Sequence, residues 1–243
     1  DNNIKVSEIS KLLNTVFNKQ IFEYGFVHAD PHHGNLFIRK ELMNGRPQLR
    51  LVMLDFGLFV DLDDKFISDY ARLWRGIFTQ NQRLIEKSCI DLGVREHKVF
   101  TSMVTGRDYH DVMSEDDWRD TEKRLMMKKV NTQKVKKWVH SNYKEMLENL
   151  EYGRDELPLM LKIVDYLRSI DSRIGNPVNT FSILFEYVYK VIFREIKGKV
   201  SFERLFLYYE FYKMKLGFSL TSWRSRRKIK NVEKVDLSYE NRV

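Results

Sequence analysis

The amino-acid sequence predicts a mainly helical fold with one small β-hairpin. Apolar residues recur at helical spacing near the start of the chain and through most of it after Asp61. Between these regions the stretches NLFIRK and QLRLVML are short and apolar, and the turn-like segment MNGRP separates them. Aromatic residues make up 13% of the 243 residues while glycine and proline are few, so the composition is that of a globular chain.

An amphipathic helix is expected from Ile4 to Phe22. Its apolar positions recur at helical spacing: Ile9, Leu12, Leu13, Val16 and Phe17. Gly25 is expected to end this helix. Pro31 and Gly34 then keep the next residues out of regular structure, and Gly34 allows a tight turn. The resulting polar loop leads into the hairpin.

The remainder of the chain, residues 62–221, is predicted to be almost entirely helical. Candidate N-cap residues precede its helical segments: Asn81, Ser114, Asp155, Asn176 and Ser201. The last two segments, VNTFSILFEYVYKVIF and FERLFLYYEFYKM, are aromatic on most faces, so we expect them to form the buried centre of a bundle. Beyond Thr221 the sequence becomes charged and is expected to fray, which divides the chain into a domain of residues 1–221 and a basic tail of residues 222–243.

Composition restricts the classes of function. The net charge of +8 favours an anionic partner such as a nucleotide or a phospholipid surface, but no recognised nucleic-acid-binding motif is present, so we expect no nucleic-acid partner. The basic stretch SWRSRRKIK is best interpreted as a solvated tail, with contact to a membrane surface as the alternative. Cys89 is the only cysteine, which excludes an internal disulfide. No apolar run reaches the roughly 18 residues of a membrane span.

Two short motifs together indicate phosphoryl-transfer chemistry. In the stretch GFVHADPHHGNLFIRK, His28, Asp30 and Asn35 have the spacing H-x-D-x-x-x-x-N, which is that of a protein-kinase catalytic loop. After the second predicted strand comes LDFGL, in which residues 55–57 read Asp-Phe-Gly, the form of a kinase metal-binding loop. Each motif is weak alone, but their order, separated by a hairpin, predicts a catalytic loop at residues 25–35 and a metal loop at residues 55–57.

Phosphoryl transfer explains why these residue types are needed. Asp30 is the candidate catalytic base, which orients the attacking hydroxyl and accepts its proton. Asn35 and Asp55 offer hard oxygen ligands suited to Mg²⁺, and with Gly57 they form the expected cofactor-binding set. His28 is expected to pack against the metal loop and hold Asp30 in place.

A transition-metal site is the competing interpretation of the first motif. His28 and His32 have i,i+4 spacing, and His33 is adjacent. However, Pro31 and Gly34 argue against a helix here, and the chain has no H-E-x-x-H arrangement. The kinase-like interpretation is therefore preferred.

The two motifs together resemble those of the ABC1/UbiB family of atypical kinases, also called aarF-domain-containing kinases. The family pattern is close to H-A-D-P-H-P-G-N, and this chain departs from it at His33, where proline is usual. The stretch FTSMVTGRDYHDV is similar to the mitochondrial branch. The resemblance implies a protein-kinase-like fold, binding of ATP or ADP with Mg²⁺, a mitochondrial location, and a role in coenzyme Q or mitochondrial lipid homeostasis.

Some features depart from conventional protein kinases. Ala29 occupies the position of the arginine in H-R-D, and no Ala-Pro-Glu follows Asp55, so we expect a small-molecule or lipid-like acceptor. Only residues 1–24 precede the catalytic loop, so the chain is expected to be a C-terminal lobe without the N-terminal lobe, and inactive alone. The alternative function is a pseudokinase scaffold that binds nucleotide without turnover.

Overall fold

The computed structural model describes residues 4–55, 57–114, 153–196 and 202–236, with side chains described as far as residue 219. In these residues the α-helices are α1 (Val6–Lys19), α2 (Asp64–Thr79), α3 (Gln82–Asp91), α4 (His97–Thr105), α5 (Tyr109–Met113), α6 (Glu156–Arg173), α7 (Thr180–Glu195) and α8 (Phe202–Asp236). The strands are β1 (Phe26–His28), β2 (Leu36–Met43), β3 (Arg46–Met53) and β4 (Phe59–Asp61). The prediction of a mainly helical fold with a small hairpin is confirmed.

The first helix is slightly shorter than predicted and ends in an unusual turn. Leu13 and Phe17 are buried, as the amphipathic pattern requires. After Lys19 the helix widens into a π-helical turn, Gln20–Tyr24, a feature that the apolar periodicity does not reveal. Gly25 has a φ of 65° and ends the helix in the left-handed conformation, as predicted.

The hairpin forms with longer strands and a tighter turn than the sequence indicated. Strands β2 and β3 pair antiparallel from Leu36 opposite Met53 to Met43 opposite Arg46. The turn between them consists of Asn44 and Gly45 alone, both with positive φ. An Asn-Gly pair suits such a turn because both residues adopt positive φ readily.

A second antiparallel pair, β1 with β4, was not predicted. Phe26 lies opposite Asp61, and His28 lies opposite Phe59. Each strand has three residues, which is too short for a periodic pattern to be visible in the sequence. This pair joins the polar loop after α1 to the segment after the hairpin.

Two carboxyl or amide side chains cap the helices that follow. Asp63 accepts a hydrogen bond from the backbone N–H of Phe66 at 2.6 Å and caps α2, and burial of this helix places Phe66, Tyr70 and Trp74 in the core. Asn81 accepts from the N–H of Leu84 at 3.1 Å, so its predicted role as a cap of α3 is confirmed.

None of the other four predicted caps is confirmed as a side-chain cap of the helix after it, and the reasons differ. Asp155 precedes α6, but its side chain makes no capping hydrogen bond. The prediction for Asn176 is wrong, because α7 begins after Asn179 and Asn176 instead adopts a positive φ of 51°. Ser114 ends α5, and the residues after it, like Ser201, lie outside the described part of the chain.

Helix α7 lies at the centre of the core, as its aromatic composition predicts. It packs against α1 and α2, and Phe185 is 1% exposed. Around the Phe185 ring lie four aromatic rings with centroids 4.5 to 5.5 Å away: Phe78, Tyr189, Phe211 and Phe218. Aromatic rings at these separations add to the stability that burial of their area provides.

The expectation that α8 is buried on most faces is wrong. Leu207, Met214 and Phe218 are buried, but several large apolar residues of the same helix are exposed: Phe202, Leu205, Phe206, Tyr209, Tyr212 and Leu216. The physical reason is that α8 packs on its neighbours through one side. An ion pair of Arg75 with Glu210, with N–O distances of 2.9 and 3.1 Å, fixes that side to α2.

The expected fraying after Thr221 is also wrong, because the α8 backbone stays helical to Asp236. Lysine, arginine and glutamate, which dominate this stretch, are good helix formers, and it contains no glycine or proline. The helix therefore crosses the predicted boundary between residues 221 and 222 without a break. Within the described residues, no helix combines the length and the apolar character that a membrane crossing needs.

Replacing Phe185 with alanine is expected to lower the free energy of unfolding by about 3–5 kcal/mol, because the substitution would leave a cavity among the four surrounding aromatic rings. Phe202→Ala is the matched control on a neighbouring helix. Since Phe202 is 85% exposed, its loss is expected to cost under about 0.5 kcal/mol. Urea denaturation of the two variants measures both quantities, and equal losses would contradict the assignment of α7 to the centre of the core.

Candidate active site

Pairing of β1 with β4 brings the two predicted loops together. Beyond the strands, the N–H of Ala29 donates to the carbonyl of Leu58 at 3.0 Å, and the N–H of Leu62 donates to the carbonyl of Gly25 at 2.7 Å. The first half of the predicted catalytic loop is thus hydrogen-bonded to the segment that directly follows the predicted metal loop. Residues that are 29 to 37 positions apart in sequence become neighbours through backbone contacts alone.

The imidazole of His28 links these loops from the inside. The ring is fully buried. Its Nδ1 accepts a hydrogen bond from the backbone N–H of Asp30 at 3.1 Å, and its Nε2 lies 3.4 Å from the carbonyl of Leu54. Both contacts are satisfied by the tautomer that carries its proton on Nε2. This geometry is what a residue that positions Asp30 requires, which is the role that the sequence predicts for His28.

The π-helical turn holds His28 from the other side. The side-chain oxygen of Gln20 accepts a hydrogen bond from the backbone N–H of His28 at 3.1 Å. Ordinary helical geometry ends at Lys19, so Gln20 belongs to the widened turn. The π-helical turn therefore places the Gln20 side chain against the backbone of His28, and π-helical turns are frequent at functional sites.

The open end of the hairpin brings the two candidate metal ligands to one place. Leu36 lies opposite Met53 in the last pair of the hairpin, and the N–H of Leu54 donates to the carbonyl of Asn35 at 2.8 Å. Asn35 therefore leads into β2 at the same end at which Asp55 leaves β3. Backbone pairing, rather than a contact between the two side chains, sets their separation.

Asn35 is buried, and one hydrogen bond sets the orientation of its side-chain amide. Its amide nitrogen donates to the backbone carbonyl of Asp30 at 3.2 Å, and the residue is 7% exposed. The amide nitrogen is not a metal ligand, so this contact leaves the side-chain oxygen as the atom suited to a cation.

Asp55 is exposed and adopts the left-handed conformation, with a φ of 57°. One of its carboxylate oxygens accepts a hydrogen bond from the N–H of Gly57 at 3.1 Å. A Cβ at position 57 would lie 3.1 Å from the same oxygen, so glycine allows this close approach. Phe56 lies outside the described residues.

The carboxylate of Asp30 lies between a lysine and a histidine side chain. Nζ of Lys162, on α6, is 3.0 Å from Oδ1, and Nε2 of His32 is 3.7 Å from Oδ2. The hydrogen bond from Lys162 is the main cause of a lowered pKa for Asp30. Asp30 is therefore a carboxylate at neutral pH, able to accept a hydrogen bond from a hydroxyl group.

The transition-metal interpretation finds no support in this arrangement. Both ring nitrogens of His28 are engaged by the backbone, and Nδ1 of His32 accepts from the N–H of Gly34 at 3.1 Å. In the part of the chain that the structure describes, no group of three or more His, Cys, Asp or Glu side chains is arranged to hold a metal ion. Asn35 and Asp55 supply only two oxygen ligands, which suits Mg²⁺, an ion that keeps waters and substrate phosphates as its other ligands.

Sequence reasoning missed two residues of the site. Gln20 and Lys162 belong to no motif, and Lys162 is 132 positions from Asp30, so no local signal identifies them.

The tight turn expected at Gly34 is present, since the N–H of Asn35 donates to the carbonyl of His32 at 2.9 Å. A Cβ at position 34 would lie 3.0 Å from the His32 ring, which also favours glycine there.

Comparison with known proteins identifies a family model and several relatives to which the chain is similar. Residues 1–89 match the model of a family described as the ABC1 atypical kinase-like domain. AarF domain-containing kinase 1 of Drosophila melanogaster is 29% identical over 205 residues, which cover 82% of this chain and 38% of that protein. AarF domain-containing protein kinase 1 of Gallus gallus is 29% identical over 188 residues, which cover 75% of this chain and 34% of that protein.

These matches are to proteins that are described as kinases or as kinase-like. The resemblance deduced from the motifs is confirmed, because residues 1–89 match the model of the ABC1 atypical kinase-like domain. The chain spans about a third of the length of the curated relatives that it matches. No solved structure matches the chain.

Gly25 offers a test of the contact between the two loops. Its φ is positive, and a Cβ there would lie 2.7 Å from the carbonyl oxygen of Leu62. We expect Gly25→Ala to lower the free energy of unfolding by about 2 kcal/mol more than Gly45→Ala, which carries only the roughly 1 kcal/mol of left-handed strain.

The control is matched because Gly45 also has a positive φ, of 74°, but no atom within 4 Å of the added Cβ. Urea denaturation compares the two variants. Equal destabilisation would show that the close approach of residue 25 to Leu62 does not occur.

Proposed function

We propose that this chain contributes the catalytic loop and metal loop of an ATP-dependent atypical kinase or ATPase of the ABC1/UbiB type. The observation that carries the proposal is the convergence of Asp30, Asn35 and Asp55. Backbone pairing between β1 and β4 and at the open end of the hairpin joins the segments that bear them. These three residue types are the ones that orient a nucleophile and hold the metal in phosphoryl transfer. We infer that the chain acts as the C-terminal lobe of a kinase-like fold.

In the proposed reaction the acceptor hydroxyl donates a hydrogen bond to the carboxylate of Asp30. The hydroxyl oxygen forms a bond to the γ-phosphorus of ATP, and the bond from that phosphorus to the β,γ-bridging oxygen breaks. The ADP leaving group takes the bonding electron pair, and the hydroxyl proton passes to Asp30. The lowered pKa of Asp30 keeps it ionised at neutral pH, which suits a residue that orients the hydroxyl and accepts its proton late.

The side chains at the hairpin end fit Mg²⁺ in kind and charge. Asn35 offers a neutral oxygen and Asp55 an anionic one. When bound, Mg²⁺ neutralises charge between the nucleotide phosphates. Asp55 already accepts the N–H of Gly57 with one oxygen, so its second oxygen is the one that we assign to the metal.

We also propose a small-molecule or lipid-like hydroxyl as the acceptor. The support is the absence from the sequence of the Ala-Pro-Glu segment with which conventional kinases dock peptides. The family resemblance supports a mitochondrial location and a role in coenzyme Q or mitochondrial lipid homeostasis.

Asp55→Asn is expected to abolish the Mg²⁺-dependent thermal stabilisation of the natural full-length protein by ATP or ADP. Loss of the anionic ligand weakens binding of the metal and of the nucleotide that it carries. At a ligand concentration 100 times the Kd, the bound nucleotide stabilises the folded protein by about 2.7 kcal/mol. Thermal shift with and without Mg²⁺ measures it. Asp61→Asn, an exposed aspartate of β4, is the control and is expected to keep the full shift.

Asp30→Asn separates a kinase from a pseudokinase scaffold. It is expected to keep the thermal shift and to lose about 10²–10⁴-fold in nucleotide turnover, because it removes the base without removing the metal ligands. A wild-type protein that binds nucleotide with no turnover would favour the scaffold. A folded wild-type protein with no shift would overturn the proposed nucleotide site.

We further propose contact of α8 with a membrane surface. Its exposed aromatic and aliphatic side chains, among them Phe206, Tyr209 and Tyr212, precede a strongly basic stretch of the same helix. Apolar residues combined with lysine and arginine are typical of helices that lie in the interface of an anionic membrane.

Neutralising Arg224, Arg226 and Arg227 with glutamine is expected to reduce co-sedimentation with anionic liposomes, because each cation contributes about 1 kcal/mol near such a surface. The three matched substitutions Arg39→Gln, Arg46→Gln and Arg50→Gln in the hairpin are the control. Unchanged sedimentation of the tail variant would contradict the proposal, and so would equal binding to neutral liposomes.

A further inference from the structure

Lys162 reaches the candidate base from a distant helix whose position is well fixed. Leu157, Met160 and Ile163 on α6 are each at most 1% exposed, so that face of the helix is anchored in the core. Just before α6, Arg154 pairs with Asp63 at 2.7 Å, and this ties the helix to the segment that follows β4.

The contact between Lys162 and Asp30 is direct, and it joins parts of the chain 132 residues apart. Nζ lies 3.0 Å from Oδ1, within the range of a charge-assisted hydrogen bond. Lys162 is 40% exposed and Asp30 is 31% exposed. An exposed ion pair of this kind contributes little to stability, at most about 1 kcal/mol. Stability therefore gives little reason for a lysine at this position.

The chemistry of the ammonium group points to a use at the site. A lysine ammonium has three N–H donors, and the contact with Asp30 uses one. The oxygen of an acceptor hydroxyl that is hydrogen-bonded to Asp30 lies about 3 Å from the carboxylate. The phosphorus that this oxygen attacks lies about 3–3.5 Å from the hydroxyl oxygen. The oxygens of the transferred group therefore come within reach of the remaining N–H groups. Residues 29–35 themselves contain no lysine or arginine.

We propose that Lys162 is the phosphate-binding cation of this site, holding Asp30 in the free protein and an oxygen of the transferred phosphoryl group when nucleotide is bound. The proposal rests on the proposed phosphoryl-transfer function. Negative charge develops on the transferred phosphoryl group while one phosphorus–oxygen bond forms and the other breaks. A fixed cation beside the group stabilises this charge. By holding Oδ1, Lys162 also leaves Oδ2 of Asp30 as the atom that meets the hydroxyl.

The test compares Lys162→Met, Lys162→Arg and Lys215→Met in the natural full-length protein. Lys162→Met is expected to lower kcat about 100-fold, the effect of losing one donor to a developing charge. The affinity for Mg²⁺ and ATP, measured by thermal shift, is expected to change less than about 3-fold because Asn35 and Asp55 remain. Lys162→Arg, which keeps the charge, is expected to recover part of the lost turnover.

Lys215 is a closely matched control. It also lies on a helix, pairs with a carboxylate, Glu186, at 3.2 Å, and sits over an aromatic ring, that of Phe211, at 5.5 Å. Lys162 has the corresponding contact with the Tyr166 ring at 5.7 Å. A merely structural role for Lys162 predicts that both methionine variants keep the wild-type kcat.

The pH dependence supplies a second readout. Since Lys162 is the main cause of the lowered pKa of Asp30, Lys162→Met is expected to raise that pKa. The acid limb of the kcat/KM profile, which reports the free protein, therefore moves to higher pH in the variant. His28 and His32 also face Asp30 and remain in the variant, so they do not account for a difference between the two proteins.

The outcomes separate this proposal from the one on which it rests. A wild-type protein without turnover overturns the phosphoryl-transfer function, and with it this role of Lys162. Turnover in the wild type that Lys162→Met leaves unchanged overturns the role of Lys162 alone. NMR titration of the Asp30 carboxyl carbon checks the ion pair without any activity, and an identical pKa in the wild type and in Lys162→Met would show that the contact is absent in solution.

Discussion

The buried imidazole of His28 is the contact through which the two loops of the candidate site are held together. Through one nitrogen it fixes the backbone of Asp30, and through the other it faces the carbonyl of Leu54, one residue before Asp55. A ring without exposure to solvent has few alternative partners, so both contacts are favoured strongly over their loss. Substitutions at position 28 would therefore disturb the candidate base and the candidate metal ligand together.

The support for this ring extends outwards in layers. Gln20 holds the backbone of His28, and the π-helical turn that contains Gln20 continues from α1. Helix α1 packs against α7, in which Phe185, Val188 and Tyr189 are buried. Polar groups at the site are thus positioned by elements that are themselves fixed by apolar burial, which is how a rigid scaffold holds a site with small tolerances.

Local patterns in the sequence predicted the parts of the structure that depend on neighbours in the chain. The amphipathic α1, the cap at Asn81, the hairpin and the central position of α7 follow from periodicity and turn chemistry. The β1–β4 pair was missed because three-residue strands carry no periodic signal. The exposure of α8 was misjudged because the aromatic composition of a helix does not indicate how many of its faces are covered by other elements.

The same distinction applies to the site. Asp30, Asn35 and Asp55 are recognisable because their spacing is set by a loop and a hairpin, both local structures. Lys162 reaches Asp30 only through the packing of a helix that lies far along the chain. Tertiary packing of this kind leaves no spacing to recognise, and a single sequence has no other record of it.

The Asn44–Gly45 hairpin acts as a spacer in which the two strands must have equal lengths, while their common length is free to vary. Adding one residue to each strand moves the distal turn outwards and leaves the pairing of Leu36 with Met53 as it is. An insertion in one strand alone shifts the register, and since side chains alternate between the two faces of a strand, Asp55 would then leave β3 on the wrong side. Homologous chains can therefore differ freely in the length of this hairpin, provided that the two strands grow and shrink together.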